Sequence, residues 1–289
     1  PGAFPPERCE QMKKKRLRAL AAMLCLAVFG CTLSGCAADA ASRQLNFDEW
    51  TTWDISTPLS LSADYFLTEY TDADKIWRYD SASECLMSMR YGYSDAIAID
   101  SLYALSMLAE QSDLELCPEP IGTDSIVAYV TNSRADVQQQ MNEYIPVYRS
   151  SEAYADLVRR ANIYEFVPDT EIPVVEDGPI LRVAIDTSFG NYPYTFYDFV
   201  SGEPQGVDIE FIKHFAAEYG YTVEWFDGSW DACSIAVTSG EVDVFVCAIS
   251  QYYAEGIEFS QVCLSTDPYY DLELVLIVQK GSLRQEGES

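Results

Sequence analysis

The stretch from Leu181 to Ser282 constrains the fold most, because apolar strands and amphipathic helices alternate there with few interruptions. Each of the two predicted helices is followed by a glycine, at 220 and 240, the residue that most often ends a helix. Alternation of this kind predicts an α/β fold with a largely parallel sheet. The predicted elements are strands at 181–186, 222–226, 242–249 and 272–278, and helices at 206–219 and 230–239.

Three segments of this stretch, in their order and spacing, resemble a known family. They read GVDIEFIKHFA, SGEVDVFVCAIS and TDPYYDLELVLIVQKGS. Together they resemble the first lobe of the extracytoplasmic amino-acid-binding proteins of ABC importers, family 3. The resemblance implies a two-lobed α/β fold of the type II periplasmic-binding-protein kind, with a small ligand held between the lobes.

The preceding residues resemble the second lobe of the same family, so the lobe order is reversed. ISTPLSLSADYFL is similar to the beginning of lobe two, and residues 126–166 to its return into lobe one. Circular permutation is the simplest interpretation, because domain termini often lie close together. A tandem pair that has lost its outer halves is the alternative. Permutation predicts two crossover strands that share a hinge, near Ile126–Val130 and Leu272–Val278.

The N-terminus predicts export and lipidation. A basic segment at 13–18 precedes an apolar run at 19–30 that is short for a membrane span. Leu33-Ser34-Gly35-Cys36 then resembles the bacterial lipobox, which implies a lipid on Cys36 and an extracytoplasmic, membrane-anchored protein. Residues before Met12 read as upstream sequence. The predicted organisation is 1–35 signal peptide with upstream residues, 36–52 tether, 53–125 lobe two, 126–166 return to lobe one, 167–180 linker, 181–282 lobe one and 283–289 tail.

Composition excludes several function classes. The formal net charge of −28, with basic residues concentrated in the leader, excludes non-specific nucleic-acid binding. The sequence contains no glycine-rich phosphate-binding loop, which argues against nucleotide chemistry. Its single histidine, His214, lies within a predicted helix, which argues against a metal site or a catalytic triad. We therefore predict a monomer without a cofactor or catalytic activity. The five cysteines after Cys36 are either disulfides, which an exported protein permits, or buried thiols.

The resemblance also implies a ligand site. Phe189 and Trp230 match the two aromatic residues that sandwich the ligand, with Tyr192 and Tyr194 nearby, although core packing is the alternative for the first two. Ser250 and Ser60 match small hydroxyl residues that hydrogen-bond the ligand. Asp100 matches the carboxylate that takes the ligand's ammonium group, and it is also placed to cap a helix.

One position departs from the family pattern. The family holds the ligand's carboxylate with an arginine that would fall on Glu255, and no Lys or Arg occurs between Lys213 and Lys280. Either the ligand is not a standard amino acid, or Arg78 or Arg90 of lobe two supplies the charge, or binding has been lost. Two carboxylates at one rim, Asp100 and Glu255, favour a cationic, amine-bearing ligand. If the Glu255 side chain points into solvent, only Asp100 remains to favour a cationic ligand.

Three functions remain compatible with the sequence. The first is a lipid-anchored solute-binding protein that delivers a small polar ligand to an ABC permease. The second is a sensory module of the same fold that signals through a membrane partner. The third is a lipoprotein that no longer binds a ligand.

Overall fold

A computed structural model describes residues 44–162, 166–188, 192–256 and 262–284, with the backbone alone for 254–256. The strands are β1 Ile55–Pro58, β2 Ile76–Tyr79, β3 Ala96–Asp100, β4 Leu114–Leu116, β5 Gly122–Thr131, β6 Ile180–Ile185, β7 Phe196–Asp198, β8 Glu203–Gln205, β9 Thr222–Asp227, β10 Val244–Ser250, β11 Cys263–Ser265 and β12 Tyr270–Gln279. The α-helices are α1 Ser62–Tyr70, α2 Ala82–Arg90, α3 Ser101–Glu110, α4 Ala135–Arg149, α5 Glu152–Ala161, α6 Val207–Tyr219, α7 Trp230–Ser239 and α8 Gln251–Gly256. Short 3₁₀ turns span Phe47–Thr52, Ala73–Lys75 and Asn132–Arg134.

Two parallel units make up the main sheet, whose strand order is β2-β1-β3-β12-β5-β10-β6-β9. In one unit β1 pairs in parallel with β2 and β3, and in the other β6 pairs in parallel with β9 and β10. Parallel neighbours need crossover connections, and helices supply them in both units. The two units are the two lobes, so the predicted two-lobed α/β architecture is confirmed.

Two long antiparallel strands, β5 and β12, join the lobes. Their register pairs Ile126 with Tyr270 and Gly122 with Leu274. Beyond this shared ladder β5 pairs with β10 of lobe one, whereas β12 pairs with β3 of lobe two. The crossover strands therefore lie where the sequence predicted them, and they share a hinge.

Lobe one is organised around aromatic residues of α6. Phe211 and Phe215 are fully buried, and Phe211 stacks on Tyr269 with ring centroids 4.1 Å apart. Tyr148 of α4 packs against the same Phe211 ring at 5.5 Å. Removing two phenylalanine side chains from water stabilises the lobe by about 3–6 kcal/mol, which fixes α4 and α6 on one face of the sheet.

Glycines end two helices of lobe one as predicted. Gly220 after α6 has φ +75° and Gly240 after α7 has φ +79°, the left-handed conformation in which a side chain is disfavoured. The helix limits consequently agree with the sequence prediction to within one residue.

The predicted tether is shorter than expected. Leu45 is buried and forms a parallel bridge to Leu283, and Trp50 stacks on Phe66 of lobe two at 6.4 Å. Residues from Leu45 onward therefore belong to the folded body, because their apolar side chains find partners there. Nowhere in the described residues is there a helix with both the length and the apolar character needed to cross a membrane.

The cysteines between residues 44 and 284 are buried thiols, and none of these described residues forms a disulfide. Burial raises the pKa of the Cys85 and Cys117 thiols to about 12. Both thiols therefore stay protonated and unreactive at neutral pH. The sequence left disulfides and buried thiols as alternatives, and in the described residues the cysteines are buried thiols.

Candidate functional site

A cavity of about 450 Å³ lies between the lobes. Its volume is typical of a site for a small organic ligand. The lining comes from the β1–α1 turn, the ends of β2 and β3, the start of α7 and the end of β10. The residues are Leu59, Ser60, Leu61, Ser62, Ala63, Asp80, Asp100, Tyr103, Tyr194, Trp230, Cys247, Ala248, Ile249, Ser250, Tyr253 and Leu272. Five of the eight predicted ligand residues are among them: Ser60, Asp100, Tyr194, Trp230 and Ser250.

Ser60 sits in a strained turn at the mouth of lobe two. Its φ of +63° is unusual for a residue with a side chain. The turn is held because the Ser60 amide donates a 3.0 Å hydrogen bond to Asp64, which is itself paired with Arg78 at 2.6 Å. The sequence predicted the position of Ser60 but not this support.

Asp100 joins the two lobes through its carboxylate. Its Oδ1 accepts hydrogen bonds from the Tyr103 amide of α3 at 2.9 Å and from the Tyr194 hydroxyl of lobe one at 2.7 Å. Asp100 thus caps a helix and lines the cleft, and both alternatives raised by the sequence hold geometrically. Burial raises the pKa of Asp100, while these donors lower it in part. Both of these hydrogen bonds use Oδ1.

An aromatic row crosses the cleft from lobe one to lobe two. Trp230 at the start of α7 meets Tyr253 edge-on at 5.6 Å, and Tyr253 meets Tyr65 of α1 at 5.8 Å. Trp230 also contacts Phe245 of the core at 5.1 Å. It therefore lines the cavity and packs against the core, so the two alternatives for this residue are compatible.

Asp208, which sequence reasoning missed as a site residue, supports the wall of the cavity. This fully buried carboxylate accepts hydrogen bonds from the Ala248 amide at 2.7 Å, the Thr195 hydroxyl at 2.8 Å and the Tyr269 hydroxyl at 2.6 Å. Ala248 has a φ of +48°, the second strained non-glycine residue in the lining. Burial raises the pKa of Asp208 to about 6, although the three hydrogen-bond donors each lower it in part. The available signal was an acidic residue, Asp208, flanked by the apolar residues Val207 and Ile209 in the first turn of the helix.

Ser250 ends β10 at the cavity. Its hydroxyl donates a hydrogen bond to Asp124, a buried residue of the crossover strand β5. With its proton engaged there, the Ser250 oxygen is placed to accept a bond from a ligand rather than to donate one. Asp124 was not predicted, because nothing in the sequence pairs residues so far apart.

Three predicted residues do not appear in the described cavity. Phe189 and the side chain of Glu255 lie outside the described residues, as does the lipidation candidate Cys36. Tyr192 points elsewhere: its hydroxyl accepts a hydrogen bond from the Phe166 amide at 2.5 Å, and its ring contacts Phe196 at 5.0 Å. Tyr192 is not among the residues that line the cavity.

Arg78 and Arg90, the alternative source of a positive charge for the ligand, are not among the residues that line the cavity. Arg78 pairs with Asp64 and donates to Thr68 on the outer side of α1. Arg90 pairs with Asp113 at 2.8 Å and bonds Gln111. Neither arginine lines the cavity, because each is held by a carboxylate of its own lobe.

Fold and cleft define a two-lobed α/β protein of the periplasmic-binding-protein type. Residues 181–285 match the model of the bacterial extracellular solute-binding proteins, family 3. Solute-binding proteins are the class that holds a small molecule between two lobes. No curated protein matches the chain.

Several solved structures are similar to this chain at low identity. The phosphate-binding protein of a phosphate ABC transporter from Streptococcus pneumoniae is 12% identical, with 80% of this chain and 91% of that chain covered and a TM-score of 0.38. An ancestral amino-acid-binding protein, a precursor of cyclohexadienyl dehydratase, is 11% identical, with 79% and 81% covered and a TM-score of 0.36. A periplasmic domain of Bordetella pertussis BvgS is 13% identical, with 78% and 80% covered and a TM-score of 0.34. At these values the ligands of those proteins do not transfer to this chain.

Proposed function

We propose that this protein is a non-enzymatic, lipid-anchored extracytoplasmic solute-binding protein that captures a small amine-bearing ligand between its lobes for an ABC importer. One observation carries the proposal: residues of both lobes meet around an enclosed cavity whose charged lining residues are carboxylates. The family match of residues 181–285 supports the class of protein. Closure of two lobes about paired crossover strands is the motion expected of such a protein.

Asp100 is the proposed partner of the ligand's ammonium group. It lines the cavity, and its carboxylate already bridges the lobes through Tyr194. A cation bound to this carboxylate would add a charge-assisted hydrogen bond in a cleft shielded from bulk water, where such bonds are stronger than in water. Cation binding would therefore draw on groups of both lobes and favour the closed form.

Calorimetric titration with a panel of primary amines and amino acids tests this function, with Asp100→Asn as the informative variant. Asparagine is also a good helix cap, so α3 should keep its N-terminus while the charge is lost. We expect Asp100→Asn to weaken amine binding at least tenfold, about 1.4 kcal/mol or more. Asp113→Asn is the matched control, since Asp113 pairs with Arg90 away from the cavity and should leave affinity unchanged. No binding of any amine by the wild-type protein would contradict the proposal and favour a lipoprotein without a ligand.

A further inference from the structure

The carboxylates of the cavity have no positively charged counterpart. Asp80 and Asp100 are the ionisable acids of the described lining, which contains no Lys, Arg or His. The internal segments that the structure does not describe, 163–165, 189–191 and 257–261, contain no Lys, Arg or His either. A ligand carboxylate in this cavity would therefore find no cationic side chain.

The N-terminus of α1 is the other place where an anion could bind. Leu61, Ser62 and Ala63 line the cavity there, and backbone amides at a helix N-terminus attract negative charge. Asp64, in the first turn, already accepts the Ser60 amide. Asp80 is close by, because the Leu59 amide donates a 2.8 Å hydrogen bond to the carbonyl of Tyr79. The charge of Asp64 is balanced by Arg78, so Asp80 is the carboxylate that opposes an anion at this end of the helix.

The remaining lining suits an organic cation. Four aromatic residues, Tyr103, Tyr194, Trp230 and Tyr253, line the cavity, and aromatic faces attract ammonium groups. Apolar side chains complete the wall and can accept a hydrocarbon stem: Leu59, Leu61, Ile249 and Leu272. The lining thus offers one strong site for an ammonium group and apolar contacts for the rest of the ligand.

We infer that the ligand is an organic amine that carries no carboxylate, rather than an amino acid. The inference rests on the proposed function, since it concerns the same cavity and the same ammonium site. The inference narrows the proposed class of ligand from any solute with an amino group to amines that lack a carboxylate. An amino acid would place a carboxylate in a cavity lined by Asp80 and Asp100, and like charges that share one cavity oppose binding.

Matched pairs of ligands test the inference on the wild-type protein. Calorimetry compares phenethylamine with phenylalanine, cadaverine with lysine, and agmatine with arginine, where each pair differs by a single carboxylate. We expect the preferred amine to bind at least tenfold more tightly than its amino acid. The methyl ester of that amino acid is the control, because it keeps the bulk and removes the charge, and it should bind within a few-fold of the amine.

The outcomes separate the two proposals. An amino acid that binds as tightly as its amine, or more tightly, overturns this inference and leaves the proposed function intact. An ester that binds as weakly as the free amino acid also overturns it, because bulk rather than charge would then exclude the carboxylate. Absence of binding for every member of the three pairs overturns both proposals.

Discussion

The ionisation of Asp208 makes the stability of the folded protein depend on pH. This carboxylate has no exposed surface, and burial raises its pKa to about 6 from an ordinary value of 3.8. A raised folded-state pKa means that the folded protein holds the proton more tightly than the unfolded chain does. The resulting stabilisation is complete below about pH 4 and is lost as the pH rises through 6.

Asp208→Asn should remove this pH dependence. Asparagine stays neutral, and its amide can keep an acceptor toward Ala248 and Thr195 while its NH₂ group meets the Tyr269 hydroxyl. Between pH 4.5 and 7.5 the free energy of unfolding of the wild type should fall by about 2 kcal/mol relative to the variant. Urea unfolding of both proteins across this range measures the difference. Parallel stability curves would mean that Asp208 does not hold its proton in the folded state.

The sequence predicted cavity residues at the carboxyl ends of strands. It did not predict the buried residues that hydrogen-bond to the cavity wall and hold it in place. Asp100, Trp230 and Ser250 follow strands or open helices, and open α/β sheets bind ligands at such positions. Asp124 and Asp208 contribute through contacts with residues far along the chain, so no local pattern reveals them. The ligand role of Tyr192 stays a prediction: its hydroxyl accepts a hydrogen bond from the Phe166 amide, a contact that the sequence did not indicate.

At the scale of elements, β5 and β12 carry the connection between the lobes. Each strand pairs with the other over one half and with a strand of one lobe over the other half, and the family resemblance is what predicted both as crossover strands. The 3₁₀ segment Phe47–Thr52 was predicted as tether instead. Its packing depends on Trp50 finding Phe66, a contact that local sequence does not indicate.

We propose that the order of these elements is a circular permutation, and the bridge between Leu45 and Leu283 makes this testable. The Leu45 amide donates to Ser282 at 2.8 Å, and the Arg284 amide donates to Leu45 at 2.8 Å, so the two ends of the folded body are neighbours. A variant that joins residues 284 and 44 by a short flexible linker and begins instead within 167–179 restores the family's lobe order. Residues 167–179 contain no helix or strand.

We expect the rearranged variant to retain the far-UV circular dichroism of the parent and to melt within a few degrees of it. New termini placed inside β12 are the control and should prevent folding, because they cut the shared ladder. If the variant with termini in 167–179 fails to fold as well, the order of the lobes is a requirement of this fold rather than a rearrangement of it.

At the scale of the whole molecule, the proposed membrane anchor is a residue outside the described body. Cys36 closes the Leu33-Ser34-Gly35 segment, and the folded residues begin only eight positions later, near Gln44. We expect Cys36→Ala to release the protein from the membrane fraction, because a lipid on this thiol is the proposed anchor. Fractionation of cells followed by immunoblotting measures the release. Serine at Cys233, a buried thiol of lobe one, is the control for loss of a cysteine without loss of the anchor.

The five buried thiols are protected from oxidation only while the protein stays folded. Outside the cytoplasm the surroundings favour disulfides, yet Cys85, Cys117, Cys233, Cys247 and Cys263 persist as thiols within the two lobes. Oxidants reach them only when the chain opens. In the proposed extracytoplasmic location, folding competes with disulfide cross-linking, and each later opening of the chain in an oxidising medium allows wrongly cross-linked chains to accumulate. The durability of the protein in its compartment is governed by how rarely it opens, a kinetic property, more than by the depth of its free-energy minimum.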